Sequence, residues 1–153
     1  MLSVVHILSS LKIGGAERVT IDLARTQRQE GLDAQILCLS SESDFLVNTV
    51  NDLEIPLYVS ESGNSRWRRF PGILAKIRQF DVVHIHSPRA LFYIAPLVPF
   101  FRNRKIIYTR HGLEPLGALK WILLHRFAQP FIDYVTFVAQ SGRDAFQTRH
   151  RWN

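Results

Sequence analysis

Three histidines and one glycine pair are the best candidates for chemistry in this sequence. His84 and His86 flank Ile85 in the run Asp81-Val82-Val83-His84-Ile85-His86-Ser87. Alternate residues of an extended strand share a face, so the two imidazoles project together, about 6.6 Å apart along the strand. Such a pair can begin a metal site, but a tetrahedral ion needs a third protein ligand. His84 is expected to sit too deep in a sheet for a solvent-facing ion, and no metal is expected. His86, followed by Ser87-Pro88, is expected at the strand's outer end, where both His86 and Ser87 can touch a ligand. His111 lies in Thr109-Arg110-His111-Gly112, where glycine allows an abrupt turn. A neutral imidazole there can accept or donate a hydrogen bond to a sugar hydroxyl, or move a proton. His111 is the candidate catalytic residue, with a loop-capping histidine as the alternative.

The glycines lie in Lys12-Ile13-Gly14-Gly15-Ala16-Glu17-Arg18. Two residues without Cβ allow a sharp turn and close approach to a ligand. A helix opened by the Gly14-Gly15 turn presents unpaired N–H groups and the positive end of its dipole to a phosphate or diphosphate. A tight turn with no ligand explains the pair equally well. A dinucleotide fingerprint would add a third glycine and an acidic residue ending the second strand. Here Ala16 and Val19 occupy the early helix and the strand ends Leu39-Ser40-Ser41, which argues against a nicotinamide enzyme. Ser141, a good N-cap, with Arg143 one turn on, offers a second helix opening. Arg66, Arg68 and Arg69 beside Trp67, and Arg102, Arg104 and Lys105, suit phospholipid head groups or a polyanionic acceptor. A solvated helix face explains them too.

Strands and helices must hold these loops in place, and their signals alternate. Apolar, β-branched runs predict strands over Val4–Leu8, Ala34–Leu39, Pro56–Val59, Asp81–His86, Lys105–Thr109 and Tyr134–Ala139. Helical spacing predicts helices over Ala16–Gln29, Trp67–Gln79, Leu91–Phe101 and Leu116–Phe127, with a last one opening at Ser141. Val19, Leu23 and Ala24 are the expected inner face of the first helix, and Gly31 its C-terminal stop. Pro96 and Pro99 should kink or shorten the helix that contains them. Near-continuous apolar strands separated by helices predict a Rossmann-like, doubly wound parallel sheet covered on both faces. Right-handed crossovers then bring the loops after Leu8, His86, Thr109 and Ala139 to one edge, where ligands bind.

At 153 residues the chain is sized for a single domain, 1–153. The lone Cys38 sits in an apolar run, which fits a reducing compartment, and the N-terminus shows no secretory signal. A cytoplasmic location is expected. A net charge of +6 and a pI near 10.0 favour anionic partners. Scattered basic residues without a recognised motif argue against nucleic acid.

Together, Val4 to Ser10, the Gly14-Gly15-Ala16-Glu17-Arg18-Val19 turn, the His84–Ser87 segment and Tyr108-Thr109-Arg110-His111-Gly112 resemble the family-4 glycosyltransferases. The resemblance covers nearly the whole chain and implies the N-terminal, acceptor-side half of a GT-B fold. It implies a retaining, metal-independent enzyme without cofactor, using a nucleotide-sugar as co-substrate and a lipid-linked or polysaccharide-precursor acceptor. Peripheral membrane contact is compatible with that acceptor. By position, Gly14 and Gly15 would approach the donor diphosphate and the acceptor, and His111 would hydrogen-bond the transferring sugar. Glu17, Arg18, His86 and Ser87 would line the acceptor side, with Ser141 and Arg143 on the same edge. The family's paired glutamates and basic donor-site residues belong to a C-terminal domain that this chain is expected to lack, since no two glutamates stand eight apart and the chain stops at Arg151-Trp152-Asn153. The fragment is then expected to be inactive alone. The alternative is a stand-alone module that holds an anionic ligand at the Gly14-Gly15 helix opening.

Overall fold

The computed structural model describes residues 1–40, 43–60, 65–101, 103–112 and 118–150. Ser41, Arg102, Leu116, residues 151–153 and the side chain of Arg66 lie outside the described residues. The elements are β1 (Ser3–Leu8), α1 (Gly15–Gln29), β2 (Asp33–Cys38), α2 (Val47–Asp52) and β3 (Leu57–Val59), followed by α3 (Arg66–Ile77) and β4 (Val82–His86). Then come α4 (Pro88–Ile94), a 3₁₀ segment (Ala95–Phe101), β5 (Lys105–Arg110), α5 (Leu119–Ala128), a 3₁₀ turn (Gln129–Phe131), β6 (Tyr134–Phe137) and α6 (Gln140–His150).

The strands form one six-stranded sheet in the order β3-β2-β1-β4-β5-β6, and every neighbouring pair is parallel. That order reverses between β1 and β4, because the chain leaves β1 toward one side of the sheet and leaves β4 toward the other. Loops at the ends of these two strands diverge and leave a crevice. The fold is the expected Rossmann-like α/β arrangement.

Apolar residues divide between the two faces of the sheet. On one face, Ile21 and Ala24 of α1 and Val47 and Val50 of α2 pack on Leu8, Ile36 and Cys38. On the other, α3, α4, α5 and α6 contribute Ile73, Leu91, Leu124 and Phe146 to a core with Val5, Ile85 and Tyr108. Among the described residues, no helix is long and apolar enough to cross a membrane.

Several local details depart from sequence expectation. The buried stripe of α1 is Thr20, Ile21 and Ala24, while Val19 is exposed. Helix α2 carries β-branched and Asn residues of modest helix propensity, and forms because Leu46, Val47 and Val50 are buried beneath it. Helix α4 begins at Pro88, three residues before the expected start, while its end at Ile94 and the 3₁₀ segment through Pro96 and Pro99 are the shortening expected from those prolines. The last helix opens at Gln140, with Gly142 and Arg143 N–H groups bonding the Ala139 carbonyl, so Ser141 lies inside its first turn rather than at the cap.

Gly31 has φ +84 and closes α1. Its N–H bonds the Arg28 carbonyl and the Leu32 N–H bonds the Gln27 carbonyl, both at 3.0 Å, which is the Schellman pattern. Gly14, by contrast, is extended (φ −168), and Gly15 is not in the left-handed region. The β1–α1 turn therefore does not require glycine for its dihedrals, and what the pair provides is space. Gly31→Ala should lower unfolding stability in urea by about 1–2 kcal/mol, because it places a Cβ in the left-handed region. Gly15→Ala, with nothing within 4 Å of the added Cβ, should be neutral or stabilising by at most about 1 kcal/mol.

Candidate functional site

At the β1/β4 switch point a cleft of about 490 Å³ is lined by Ser9, Ser10, Gly15, Ala16, Glu17 and Val19 from the β1–α1 side. Ser87, Pro88 and Arg89 from the β4–α4 turn, His111 and Gly112 after β5, and Val138 after β6 complete it. Two larger hollows, of about 730 and 780 Å³, lie along β6 and beside Asp81 and Lys105. Neither is lined by a histidine of the β4 and β5 ends, so the smaller cleft is the candidate site.

Each wall has a local cause. The carboxylate of buried Asp44 accepts from the Leu11 N–H at 2.8 Å, and the Leu46 N–H donates to the Leu11 carbonyl at 2.9 Å, which anchors the loop leading into α1. Gly14 is the N-cap of α1 and offers no side-chain cap, so the first-turn N–H groups keep their capacity for a ligand. Glu17 reaches back over Gly14, where an added Cβ would meet its carboxylate. Ser87 has φ 112 and ψ 152, a region that side-chain-bearing residues rarely adopt. It is held there by its N–H on the Thr109 carbonyl (3.2 Å) and by its Oγ, which accepts from the Ala90 N–H (3.2 Å) as cap of α4.

Behind the cleft the histidines form one cluster. His6 of β1 lies in register with His84 of β4. His6 Nδ1 is 3.0 Å from His86 Nε2, and His86 Nδ1 is 3.0 Å from His111 Nε2. The inner end is closed by Gln27 of α1, whose Oε1 lies 2.7 Å from His6 Nε2. His84 stacks on His86, with ring centroids 3.9 Å apart, and its Nε2 meets Thr109 Oγ1 at 2.6 Å. Burial disfavours the charged form of all four rings. It pulls His6 down to about 4, against the raising effect of the Gln27 hydrogen bond, and pulls His84 down to about 3, assisted by His6 and His111. Burial, then the neighbouring imidazoles, holds His86 well below the ordinary value, and burial lowers partly buried His111 as well. Burial thus favours the neutral form in all four rings.

Of the residues singled out from sequence, Gly15, Glu17, Ser87 and His111 meet in the cleft, with Gly14 immediately behind Gly15. His86 does not line it. At 1% exposure, with both ring nitrogens engaged by other histidines, it supports His111 from beneath. Arg18 is exposed and outside the lining. Arg143 turns to the hollow along β6, and Ser141 is likewise outside the cleft, because α6 starts two residues earlier than a Ser141 cap requires. Sequence reasoning missed His6, Gln27, Asp44, Ser9 and Ser10. A lone histidine within the apolar run Val4–Leu8 was the available signal for His6. The nitrogens of His6, His84 and His86 come within 4.8 Å of one another, a spacing compatible with a metal, although His6 and His86 turn theirs toward each other.

A parallel sheet of this order, with an uncapped helix opening and a neutral imidazole gathered at its switch point, defines a Rossmann-like ligand-binding domain. The sequence pattern of Glycosyltransferase Family 4 matches residues 13–152, and the chain belongs to that family. It is 31% identical over 161 aligned positions to the GDP-mannose:cellobiosyl-diphosphopolyprenol alpha-mannosyltransferase of Komagataeibacter xylinus, a match covering 97% of this chain and 41% of that protein. Its fold is similar to that of Anabaena Alr3699/HepE in complex with UDP and glucose, with a TM-score of 0.78 and 19% identity over 99% of this chain and 43% of that one. MurG of Acinetobacter baumannii is a more distant likeness, with a TM-score of 0.56 and 13% identity over 93% of this chain and 42% of that one. The fold matches part of the GT-B glycosyltransferase fold, and the chain spans about two fifths of the length of these relatives.

The buried imidazoles make stability depend on pH in a definite direction. Their folded-state values lie below the ordinary 6.5, so the folded state resists protonation. Stability should be level above pH 6.5 and fall as pH drops toward about 4, by about 3 kcal/mol from His6 alone at pH 4. Urea midpoints measured from pH 8 to pH 4 test this, and a flat profile would contradict a buried neutral cluster. Strain at Ser87 gives a second expectation. Ser87→Gly should raise stability by about 1 kcal/mol by relieving the dihedral, whereas Ser87→Ala should lower it by about 1 kcal/mol by losing the cap.

Proposed function

We propose that this chain is the acceptor-side, N-terminal part of a retaining, metal-independent glycosyltransferase. The enzyme moves a sugar from a nucleotide-activated donor to a lipid-linked or polysaccharide-precursor acceptor. The observation that carries the reading is the single cleft where the uncapped opening of α1 and the neutral imidazole of His111 meet. Backbone N–H groups at Gly14 and Gly15 approach the donor diphosphate. His111 hydrogen-bonds the transferring sugar, while Glu17 and the hydroxyls of Ser9, Ser10 and Ser87 take acceptor hydroxyls.

The diphosphate that departs carries charge that must be neutralised in a dry site, commonly a large electrostatic share of catalysis. Arg89 is the only cation lining the cleft among the described residues. Paired glutamates and further basic groups therefore come from a second domain, and the isolated chain does not turn over substrate. The lipid-linked acceptor class is supported by the diphosphopolyprenol in the name of the Komagataeibacter relative. Peripheral contact with the cytoplasmic face of a membrane is supported by α5, which exposes Leu119, Leu123 and Phe127 beside Lys120 and Arg126. A stand-alone anion-binding module fits less well, because the Glu17 carboxylate shares the helix opening with any anion. A ligand bringing both phosphates and hydroxyls uses both groups.

In the enzyme at its natural length, His111→Ala should lower sugar transfer from a labelled nucleotide-sugar by about tenfold or more, with the fold retained and the melting temperature lowered by about a few degrees at most. Unchanged transfer would remove His111 from the site. Calorimetry on the 153-residue chain should show weak or no nucleotide-sugar binding, and micromolar binding with turnover would refute the need for a second domain.

A further inference from the structure

We infer that Gln27, His6 and His86 form a hydrogen-bond chain that fixes the tautomer of His111, leaving its Nδ1 lone pair to accept a hydrogen bond from a hydroxyl of the bound sugar. The inference rests on the reading of His111 as a sugar contact and adds the polarity of that contact. Its logic is proton counting. A neutral imidazole carries one N–H, so the hydrogen bond at one nitrogen dictates the role of the other. Gln27 presents Oε1, an acceptor, at 2.7 Å, so His6 Nε2 carries the proton and His6 Nδ1 accepts. His86 Nε2 then donates to His6 Nδ1 at 3.0 Å, which makes His86 Nδ1 an acceptor. His111 Nε2 donates to it at 3.0 Å, and Nδ1 of His111 is left as a lone pair.

The chain orients His111 and does not drain protons. Its far end is an amide, which takes up no proton at ordinary pH, and His6 and His86 are buried at 0% and 1% exposure, where an imidazolium is costly. His84, the other titratable ring against the chain, is turned away to Thr109. The backbone that carries the anchor is fixed, because the main-chain carbonyl of Gln27 accepts from the Leu32 N–H in the Gly31 cap, while the side-chain Oε1 is the atom that faces His6. A helix terminus on the sheet's face thus sets the hydrogen-bonding sense of a cleft residue. Gln27, His6 and His86 are positioning residues, and only His111 touches the sugar.

Two-bond ¹H–¹⁵N spectra of the labelled 153-residue chain at pH 8 report which nitrogen of each histidine carries the proton. Wild type should show Nε2–H at His6, His86 and His111. Gln27→Glu, an acceptor only, should keep that pattern, and Gln27→Met should let His111 populate Nδ1–H. An Nδ1–H form at His111 in the wild type, or no redistribution in Gln27→Met, would overturn the inference. So would equimolar Zn²⁺ displacing the His6 and His86 protons, which would make the cluster a metal site. If Gln27→Met loses amide dispersion, the wild-type and Gln27→Glu spectra still decide. In the natural-length enzyme, Gln27→Met should lower kcat/KM by about tenfold while Gln27→Glu retains it. Unaffected transfer by His111→Ala would overturn the contact between His111 and the sugar, whereas the spectra alone decide the tautomer chain behind it.

Discussion

Parallel pairing of β1 with β4 is the constraint on which the rest of this structure depends. Parallel neighbours need crossover connections, and here the crossovers leave the pair in opposite directions, so the described loops at the ends of these two strands diverge. The same pairing seals the opposite end, where Ser3 and Asp81 exchange backbone and side-chain hydrogen bonds of 2.8 to 3.0 Å. One end of the sheet is tied and the other is open. The cleft is a product of topology before any side chain is chosen.

What that topology buries beneath the cleft is unusual for a core. The α1-facing side of β4 and β5 presents His84, His86 and Thr109 where an apolar layer would normally stand. Buried polar groups are tolerated when their hydrogen bonds are made, and the inner nitrogens here pair with one another, with Gln27 or with Thr109. The arrangement costs stability when the rings are charged and gives His111 a rigid support. A strained Ser87 beside it shows the same trade, since a residue with φ 112 persists only where its surroundings hold it.

The chain belongs to Glycosyltransferase Family 4, and the proposed function gives these features a common purpose. A helix opening suits phosphates, hydroxyl-bearing walls suit sugars, and a neutral imidazole suits the uncharged oxygens between them. The chain spans about two fifths of the related mannosyltransferase.

The sequence by itself determined the alternation of strands and helices, the parallel sheet, the glycine that ends α1 and the loops that hold Gly15, Ser87 and His111. Those signals are local: a residue's neighbours one turn or one pleat away carry them. It left α2 unread, because six residues of low propensity become helical only through burial. Only the tertiary structure decided that His86 supports the site instead of lining it, that Arg143 faces elsewhere, and that His6 and Gln27 belong to the site at all. The reason is distance along the chain: His6 and His86 are 80 residues apart and meet only through the order and register of parallel strands, which no local periodicity encodes.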